Sequence, residues 1–345
     1  MPESDYVILT LDGGGMRGVI SALLVQQLHQ EFHFLQRVHL FAGTSTGGLI
    51  ALGLASEVHI SELVDIYLTK GDEVFTEYVP LTPGTRPEVA NSDAQAELEA
   101  LGLFHVRYTD EGLKNVIEDT FPSAHRRLDQ LGRKVLVTAF DLYEDQRKAW
   151  APVSLTNLPG SSTGDIRVLD AALSTAAGPV YFPPHVFDHR GRTKAFIDGG
   201  VYANNPSMLA AATVMASGAL KERGLAFQNI KLLSLGTGFP LNSIPPQNLQ
   251  EVYSYGVVKW MWPRTHSPTP QYPLLEILMD GVSSINTFQC EQILGNNFRR
   301  GNVELPGAIN PDDVNILGLL VDLTEAYMRS EKWQRIKDWI ASWIV

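Results

Sequence analysis

The sequence is poor in cysteine and in cationic residues. A single cysteine, Cys290, excludes an intramolecular disulfide and any metal site built from several cysteines. The 27 Lys and Arg are outnumbered by 38 Asp and Glu, which gives a formal net charge of -11. This balance argues against a nucleic acid as partner, because binding a polyanion requires clustered cations. It also argues against electrostatic docking on an anionic membrane.

Long apolar runs are missing as well. No stretch of about 18 apolar residues occurs that could span a membrane. The N-terminus, MPESDYV, has no basic region followed by an apolar one, as a signal peptide would have. We therefore expect a cytoplasmic protein. No group of His, Asp and Glu residues has the spacing of metal ligands, so no metal is expected.

The segments that are present alternate between strand-like and helix-like patterns. Residues 6–11 (YVILTL) and 134–142 (KVLVTAFDL) are apolar runs typical of strands buried on both faces. Strands that alternate with helices predict a three-layer α/β/α fold with a mostly parallel central sheet. We expect one domain over residues 1–345, with a lid or insertion at 80–105 and a helical C-terminal region at about 275–345.

The first strand leads into the glycine-rich loop DGGGMRG, residues 12–18. Its glycines satisfy G-x-G-x-x-G, but a dinucleotide site also needs an acidic residue at the end of the second strand. That strand ends in FAG (41–43), without a carboxylate, and the G-K-[ST] of a phosphate loop is absent. No dinucleotide or other cofactor is therefore expected.

The next loop, GTSTG (43–47), is a G-x-S-x-G element between an apolar strand and a helix. This is the setting of a nucleophile elbow, in which a sharp turn lifts the serine hydroxyl above the strand end. Ser45 is thus a candidate nucleophile, and the alternative is a tight turn with a capping serine. If the two strands are neighbours, the backbone N–H groups of Gly13, Gly14 and Gly15 would point at the space above Ser45. Such donors form an oxyanion hole for acyl transfer.

A serine nucleophile needs a base, and the sequence offers two kinds. An α/β-hydrolase uses a histidine that follows its acidic residue in the chain, and His266 is the only one of nine histidines after Asp198. The other candidate is Asp198 itself, which ends a short strand in FIDGGVYANNP. An Asx-turn aspartate is the structural alternative at that position.

Four motifs occur in the order DGGGMRG (12–18), GTSTG (43–47), AAGPVYFPP (176–184) and DGGVYANNP (198–206). With the later segments LSLGTG and DGVSSINTFQCEQILGNNFRR, they resemble the patatin-like phospholipases over about residues 6–300. The resemblance implies a Ser–Asp dyad without histidine, with Ser45 as nucleophile, Asp198 as base and Gly13 to Gly15 as oxyanion hole. It also implies calcium-independent cleavage of fatty-acyl esters of phospholipids, galactolipids or lysolipids by a protein peripheral to membranes.

Two expectations concern regulation. The motif order is also similar to that of bacterial members of the family, some of which are antiphage effectors that cyclic nucleotides switch on. A cyclic-nucleotide activator and a homodimer are therefore carried as expectations, although no motif identifies a nucleotide pocket. Arg17, next to the glycine loop, has two interpretations: it holds the lipid phosphate, or it braces the loop through a salt bridge.

Two aromatic segments have open roles. Trp260, Met261 and Trp262 could sit at a membrane interface or in a buried contact. The tail EKWQRIKDWIASWIV places Trp333, Ile336, Ile340 and Trp343 on one helical face, which favours packing on the core over docking.

Two rival functions remain. One is a histidine-dependent α/β-hydrolase esterase, which substitution of His266 and His189 would distinguish. The other is a non-catalytic lipid-binding module, which would not react with a fluorophosphonate.

Overall fold

The computed structural model describes residues 5–78, 105–146, 148–243, 256, 260–261, 273–307 and 309–344. Its centre is an eight-stranded mixed sheet in which β5, β6, β3, β2, β1, β7 and β9 follow one another and β4 pairs with β3. The strands are β1 (Tyr6–Leu11), β2 (Val38–Thr44), β3 (Lys134–Glu144), β4 (Ala149–Thr156), β5 (His185–His189), β6 (Arg192–Asp198), β7 (Ile230–Leu235) and β9 (Phe298–Gly301). A separate two-stranded ladder joins β8 (Phe239–Pro240) to β10 (Glu304–Leu305).

Helices cover the sheet. They are α1 (Gly18–Phe32), α2 (Thr46–Ala55), α3 (Ile60–Thr69), α4 (Gly71–Val74), α5 (Glu111–Thr120), α6 (Val168–Ala176), α7 (Gly200–Ala203), α8 (Ser207–Ser217), α9 (Ala219–Glu222), α10 (Pro273–Leu294), α11 (Leu317–Met328) and α12 (Glu331–Ile344). No helix in the described ranges combines the length and the apolar character needed to cross a bilayer.

Strand β1 shows how the layers form. All six of its residues are buried, and successive side chains of a strand point to opposite faces. Val7, Leu9 and Leu11 belong to a core cluster with α1, α2, α3, α6 and α12. Tyr6 and Ile8 belong to a second cluster with α8, α9 and the end of α10. Two apolar faces, each covered by helices, make the three-layer arrangement that the sequence predicts.

The long strand β3 brings two other strand ends together. On one edge of β3, parallel β2 ends with Thr44 opposite Thr138, and antiparallel β6 ends with Asp198 opposite Ala139. Strand β4 occupies the other edge of β3. The C-terminal ends of β2 and β6 therefore face each other at neighbouring positions of β3. Because the two strand ends meet, Ser45, the residue after Thr44, lies beside Asp198.

The structure adds elements that the sequence patterns miss. Strands β4, β5 and β6 run antiparallel to their neighbours, so the sheet is mixed although mostly parallel. The C-terminal stretch that we expect to be helical also contains β9 and β10. Trp333 and Ile340 of α12 are fully buried in the core, as the tail's apolar spacing favours. Most of the lid segment 80–105, namely 80–104, lies outside the described residues; just beyond its ends, the Tyr78 N–H donates to the Arg107 carbonyl oxygen.

Candidate active site

Ser45 occupies the sharp turn between β2 and α2. Its backbone has φ 54° and ψ -125°, and a non-glycine residue rarely adopts such a positive φ. Such strain persists only where the surroundings impose it, and it is typical of a nucleophile elbow. The Ser45 N–H donates to Thr175 Oγ1 at 2.9 Å. Helix α2 begins at the next residue, so its positive dipole end lies under the serine.

The glycines around Ser45 let the turn close. A Cβ atom added to Gly47 would lie 2.3 Å from the Leu11 carbonyl oxygen and 2.5 Å from that of Asp12. These distances are far shorter than non-bonded contacts between carbon and oxygen atoms, so only glycine fits at position 47 against the end of β1. The serine turn and the glycine loop are consequently neighbours, and the parallel pairing of Leu11 with Gly43 confirms that β1 and β2 are adjacent.

Asp198 lies next to Ser45 and is buried. The Ser45 side chain interacts with its carboxylate, and the Gly200 N–H donates to Asp198 Oδ1 at 2.7 Å. Burial raises the pKa of Asp198 to about 6, although the interactions with Ser45 and Gly200 lower it in part. The carboxylate is therefore ionised at neutral pH and more basic than a free aspartate.

The glycine loop differs in one respect from the sequence-based expectation. The Gly13 N–H is already bonded to the Asn204 carbonyl oxygen at 3.0 Å, so it does not point freely at the space above Ser45. This expectation is wrong for Gly13 because the loop after β6 closes over β1 at this point. Within the described ranges, the N–H groups of Gly14 and Gly15 have no acceptor. Both residues line the cavity that contains Ser45 and Asp198.

A buried ion pair holds the start of the glycine loop. Arg300, on β9, donates Nη1 to Asp12 Oδ1 at 3.1 Å and Nη2 to the second carboxylate oxygen. Its Nη1 also donates to Ser234 Oγ at 2.6 Å. Sequence reasoning does not find this pair, because 288 positions separate its members and no local pattern links them.

Two cavities meet at Ser45. The first is an apolar channel between α2, α3 and α5. Its walls are mainly large apolar side chains, among them Leu49, Ile50, Leu63, Ile66, Val74, Leu113, Val116, Ile117 and Phe182. The second is the mouth of the site, which Asp198, Arg17, Tyr181, Glu276 and Met279 line. The serine hydroxyl thus lies between an apolar pocket suited to an acyl chain and a more polar entrance.

Comparisons with known proteins show to which family the chain belongs. A family model described as patatin-like phospholipase matches residues 9–211, more than half of the chain. The chain belongs to the patatin-like phospholipase family. It is 29% identical over 312 residues to Patatin-like protein 2 of Arabidopsis thaliana, covering 83% of this chain and 71% of that protein. It is 25% identical over 335 residues to Protein teg of Priestia megaterium, covering 92% and 93%.

The name of a third relative states how that protein is activated. The cGAMP-activated phospholipase of Escherichia coli is 26% identical over 253 residues, which is 71% of this patatin-like phospholipase and 65% of that protein. The matched family region, 9–211, contains the glycine loop, Ser45 and Asp198. Arg300, which pairs with Asp12, and α10, which lines the mouth, come from outside that region.

Arg17 of this patatin-like phospholipase is buried and donates Nε to the Gly14 carbonyl oxygen at 3.4 Å. It also faces Glu276 and Asp280 of α10; burial raises the pKa values of these carboxyl groups, and Arg17 opposes that rise. The hydrogen bond fits a brace for the glycine loop. Its position in the mouth fits a phosphate contact. Both roles stay predictions.

No histidine is found among the residues that line the channel or the mouth. His189 lies on the outer strand β5, where its Nε2 is 2.9 Å from Asp165 Oδ1. His266 and Trp262 lie outside the described residues, and Met261 is exposed. Over the part of the chain with described coordinates, no three acidic, His or Cys side chains are arranged to hold a metal.

Proposed function

We propose that this chain is a calcium-independent serine acyl hydrolase of the phospholipase A or lysophospholipase type, which releases fatty acids from membrane glycerolipids. The family assigns lipid acyl hydrolysis in general terms. The observation that carries the finer proposal is the position of the Ser45 side chain beside buried Asp198, at the point where the apolar channel meets the mouth. Ser45 acts as nucleophile and Asp198 as its base.

The first half of the reaction forms an acyl-enzyme. As Ser45 Oγ attacks the ester carbonyl carbon, its proton passes to the Asp198 carboxylate. The carbonyl oxygen becomes an oxyanion, which the N–H groups of Gly14 and Gly15 stabilise; loss of one such donor typically costs about 10²–10³ in rate. The intermediate then collapses, the carbon–oxygen bond to the leaving alcohol breaks, and Asp198 returns the proton to that alcohol.

The second half releases the fatty acid. Water attacks the acyl-enzyme carbonyl, gives its proton to Asp198, and the oxyanion forms again at the same donors. Collapse frees the fatty acid and returns the proton to Ser45 Oγ. The acyl chain stays in the apolar channel throughout, where its contact with large apolar side chains supplies binding energy.

The test is fatty-acid release from mixed phospholipid vesicles without calcium, for wild type, Ser45→Ala and Asp198→Asn. We expect wild type to be active, Ser45→Ala to lose at least about 10⁴-fold and Asp198→Asn at least about 10²-fold. His189→Ala is the matched control and keeps full activity. Loss at His189, or near-normal turnover of Asp198→Asn, would favour a histidine-dependent esterase. A silent wild type that also fails to react with a fluorophosphonate would favour the lipid-binding module.

We also propose that a cyclic nucleotide gates the hydrolase. The support is the relative from Escherichia coli whose name states activation by cGAMP. The vesicle assay is repeated with cGAMP and with other cyclic nucleotides at micromolar concentration. Activation of at least tenfold over the nucleotide-free enzyme is expected, and equal activity with and without every nucleotide would reject the gate.

We further propose that residues 1–345 form one catalytic domain. Its support is the core, where Trp333 and Ile340 near the C-terminus share a cluster with Leu9 of β1. Limited proteolysis should leave the core as one fragment, and two separately stable fragments would contradict a single domain.

A further inference from the structure

A buried carboxylate outside the dyad lies close to the mouth. Asp312 is buried and follows Pro311, which lines the mouth. Tyr108 Oη donates a hydrogen bond to Asp312 Oδ2 at 2.6 Å, and Arg107 Nη1 lies 2.6 Å from the same oxygen. Burial and the neighbouring Asp312 raise the pKa of Tyr108, so its hydroxyl keeps the proton that it donates. Two side chains from one segment therefore hold a single buried carboxylate oxygen.

The loop that contains Asp312 holds the glycine loop in place. The Pro311 carbonyl oxygen accepts the Met16 N–H at 2.7 Å. Gly15 lies against the same carbonyl group, since a Cβ atom at Gly15 would collide with the Pro311 oxygen. Gly15 also has φ 57°, a conformation that glycine adopts at no steric cost. The backbone that carries the proposed oxyanion donors is thus packed on the residue next to Asp312.

The two donors to Asp312 also hold a second wall of the mouth. The Arg107 N–H donates to the Val180 carbonyl oxygen at 3.0 Å, and the Tyr108 N–H donates to that of Tyr181 at 2.9 Å. Tyr181 lines the mouth. Val180 has φ 78°, which a β-branched residue adopts only where the surroundings impose it. This wall is therefore held in a strained conformation by the segment that Asp312 anchors.

The second wall is bonded to the proposed base as well. The Tyr181 N–H donates to the Gly178 carbonyl oxygen at 3.0 Å, and the Asp198 N–H donates to that of Ala177 at 2.9 Å. Hydrogen bonds and chain connections therefore lead from the glycine loop, through Asp312, to the backbone of Asp198. Asp312 itself lines neither the channel nor the mouth.

We propose that Asp312 is a positioning residue that fixes the glycine loop relative to the wall that holds Asp198. It acts through Pro311 on one side and through Arg107 and Tyr108 on the other. The proposal rests on the proposed hydrolase function for its effect on rate. Oxyanion donors stabilise the transition state only when they are in place, and a misplacement of about 1 Å can cost about 10²-fold in rate.

The test compares Asp312→Leu, which can accept neither bond, with Asp312→Asn, whose amide oxygen can still accept both. Asp165→Leu is the matched control. Asp165 is also shared by two side chains, Arg190 at 2.7 Å and His189 at 2.9 Å, but it lines neither cavity. Each variant is made in the full chain. Both kcat and KM for a water-soluble butyrate ester are measured well below the Tm of each variant, so that unfolding does not enter the rate.

Asp312→Leu should lower kcat at least about thirtyfold and change KM less than about twofold, because the donors act in the transition state. Asp312→Asn should keep kcat within about threefold of wild type, since it keeps both bonds. Asp165→Leu should leave both constants unchanged. A merely structural role for Asp312 would lower Tm and leave kcat unchanged, which would overturn the proposal. Equal losses of kcat in Asp312→Leu and Asp312→Asn would overturn it as well.

A second variant keeps the proposal testable if Asp312→Leu does not fold. Tyr108→Phe removes one of the two donors to Asp312 and keeps the aromatic ring. We expect kcat to fall at least about threefold, with KM unchanged. Wild-type kcat in Tyr108→Phe, when Asp312→Leu does not fold, would contradict the positioning role.

Hydrogen exchange gives a readout that needs no activity. The Met16 N–H is bonded to the Pro311 carbonyl oxygen, so its exchange reports whether the glycine loop stays in place. Asp312→Leu should speed this exchange at least about tenfold, and Asp165→Leu should not change it. Unchanged exchange at Met16 in Asp312→Leu would overturn the proposal. If wild type cleaves no ester, the hydrolase function fails, while the exchange rate still decides whether Asp312 holds the loop.

Discussion

At the residue scale, the proposed chemistry depends on one buried carboxylate. A free aspartate has a pKa of about 3.9 and is a weak base toward a hydroxyl group. Burial raises the pKa of Asp198 to about 6. The rise makes Asp198 a stronger base that is still ionised at neutral pH, which suits a general base in acyl transfer. The cost falls on the folded state, which must hold a charge away from water.

The pH dependence of kcat/KM follows from this pKa. The base must be deprotonated, so kcat/KM on a water-soluble ester should be level above about pH 7. Below the pKa of about 6, protonated Asp198 accumulates, and kcat/KM should fall about tenfold per pH unit. Stopped-flow or steady-state rates between pH 4 and 9 check the profile. A midpoint near 4 would show that the titrating base is a solvated carboxylate and not buried Asp198.

The oxyanion hole makes a second residue-scale prediction. A Cβ atom on Gly14 would lie 2.3 Å from Thr237 Oγ1, so Gly14→Ala must shift the loop and its N–H groups. We expect kcat to fall at least about 10²-fold. Gly132→Ala is the control, because a Cβ atom at Gly132 meets no atom within 4 Å. Equal ester hydrolysis by the two variants would place the oxyanion elsewhere.

The candidate residues could be chosen from the sequence, but their hydrogen bonds could not. Glycines at 13–15 and the serine of GTSTG stand out locally because few other residues permit such turns. Whether a given N–H is free depends on a partner far along the chain, as with Gly13 and the Asn204 carbonyl oxygen. The Asp12–Arg300 pair cannot be predicted from the sequence either, because its two residues are far apart along the chain.

At the element scale, the site forms where the C-terminal ends of β2 and β6 meet along one edge of β3. The sequence indicates that Asp198 ends a strand, but not that β6 runs antiparallel to β3 and meets β2 end to end. Direction depends on the β5–β6 hairpin, whose alternating half-buried residues lack the apolar run of a central strand. Apolar runs such as β1 and β3 are recognisable because both of their faces are covered.

The ion pair between the end of β1 and β9 has a predictable cost. Removing Arg300 leaves the Asp12 carboxylate buried without a partner, and breaking such a pair typically costs about 3–5 kcal/mol. Arg300→Met should lower the free energy of unfolding by about that amount, measured by urea denaturation. Adding Asp12→Asn to Arg300→Met should recover part of the loss, since it removes the unpaired charge. An additive double variant would show that the two residues do not interact.

The apolar channel predicts a preference for chain length. Ile66 of α3 lines the channel, so Ile66→Phe should narrow it and lower kcat/KM for a C16 ester at least tenfold relative to a C4 ester. Leu68→Phe is the control, because Leu68 lies on the same helix, is 42% exposed and does not line the channel. A parallel fall for both ester lengths in Ile66→Phe would place the acyl chain outside this channel.

At the scale of the whole molecule, the three layers can be predicted from the sequence, but which side chains of α10 face the protein cannot. Alternating strands and helices predict a sheet that helices cover on both faces. As expected, β1 contributes side chains to both core clusters. The middle of helix α10 departs from this rule, because Ser283, Asn286 and Thr287 bond to Asn205 there while apolar side chains of the same turns are exposed. Only the assembled structure shows that Ile285 and Phe288 are left exposed while Leu275 and Met279 of the same helix line the mouth.

The most direct test of the central claim is the site of covalent labelling by a fluorophosphonate, read by peptide mass spectrometry. A serine hydrolase that uses Ser45 should form one phosphonyl adduct on the peptide containing GTSTG, and Ser45→Ala should abolish it. Asp198→Asn should slow labelling at least about 10²-fold without moving the adduct. An adduct on another residue, or lipid hydrolysis by a Ser45→Ala protein that carries no adduct, would contradict the account.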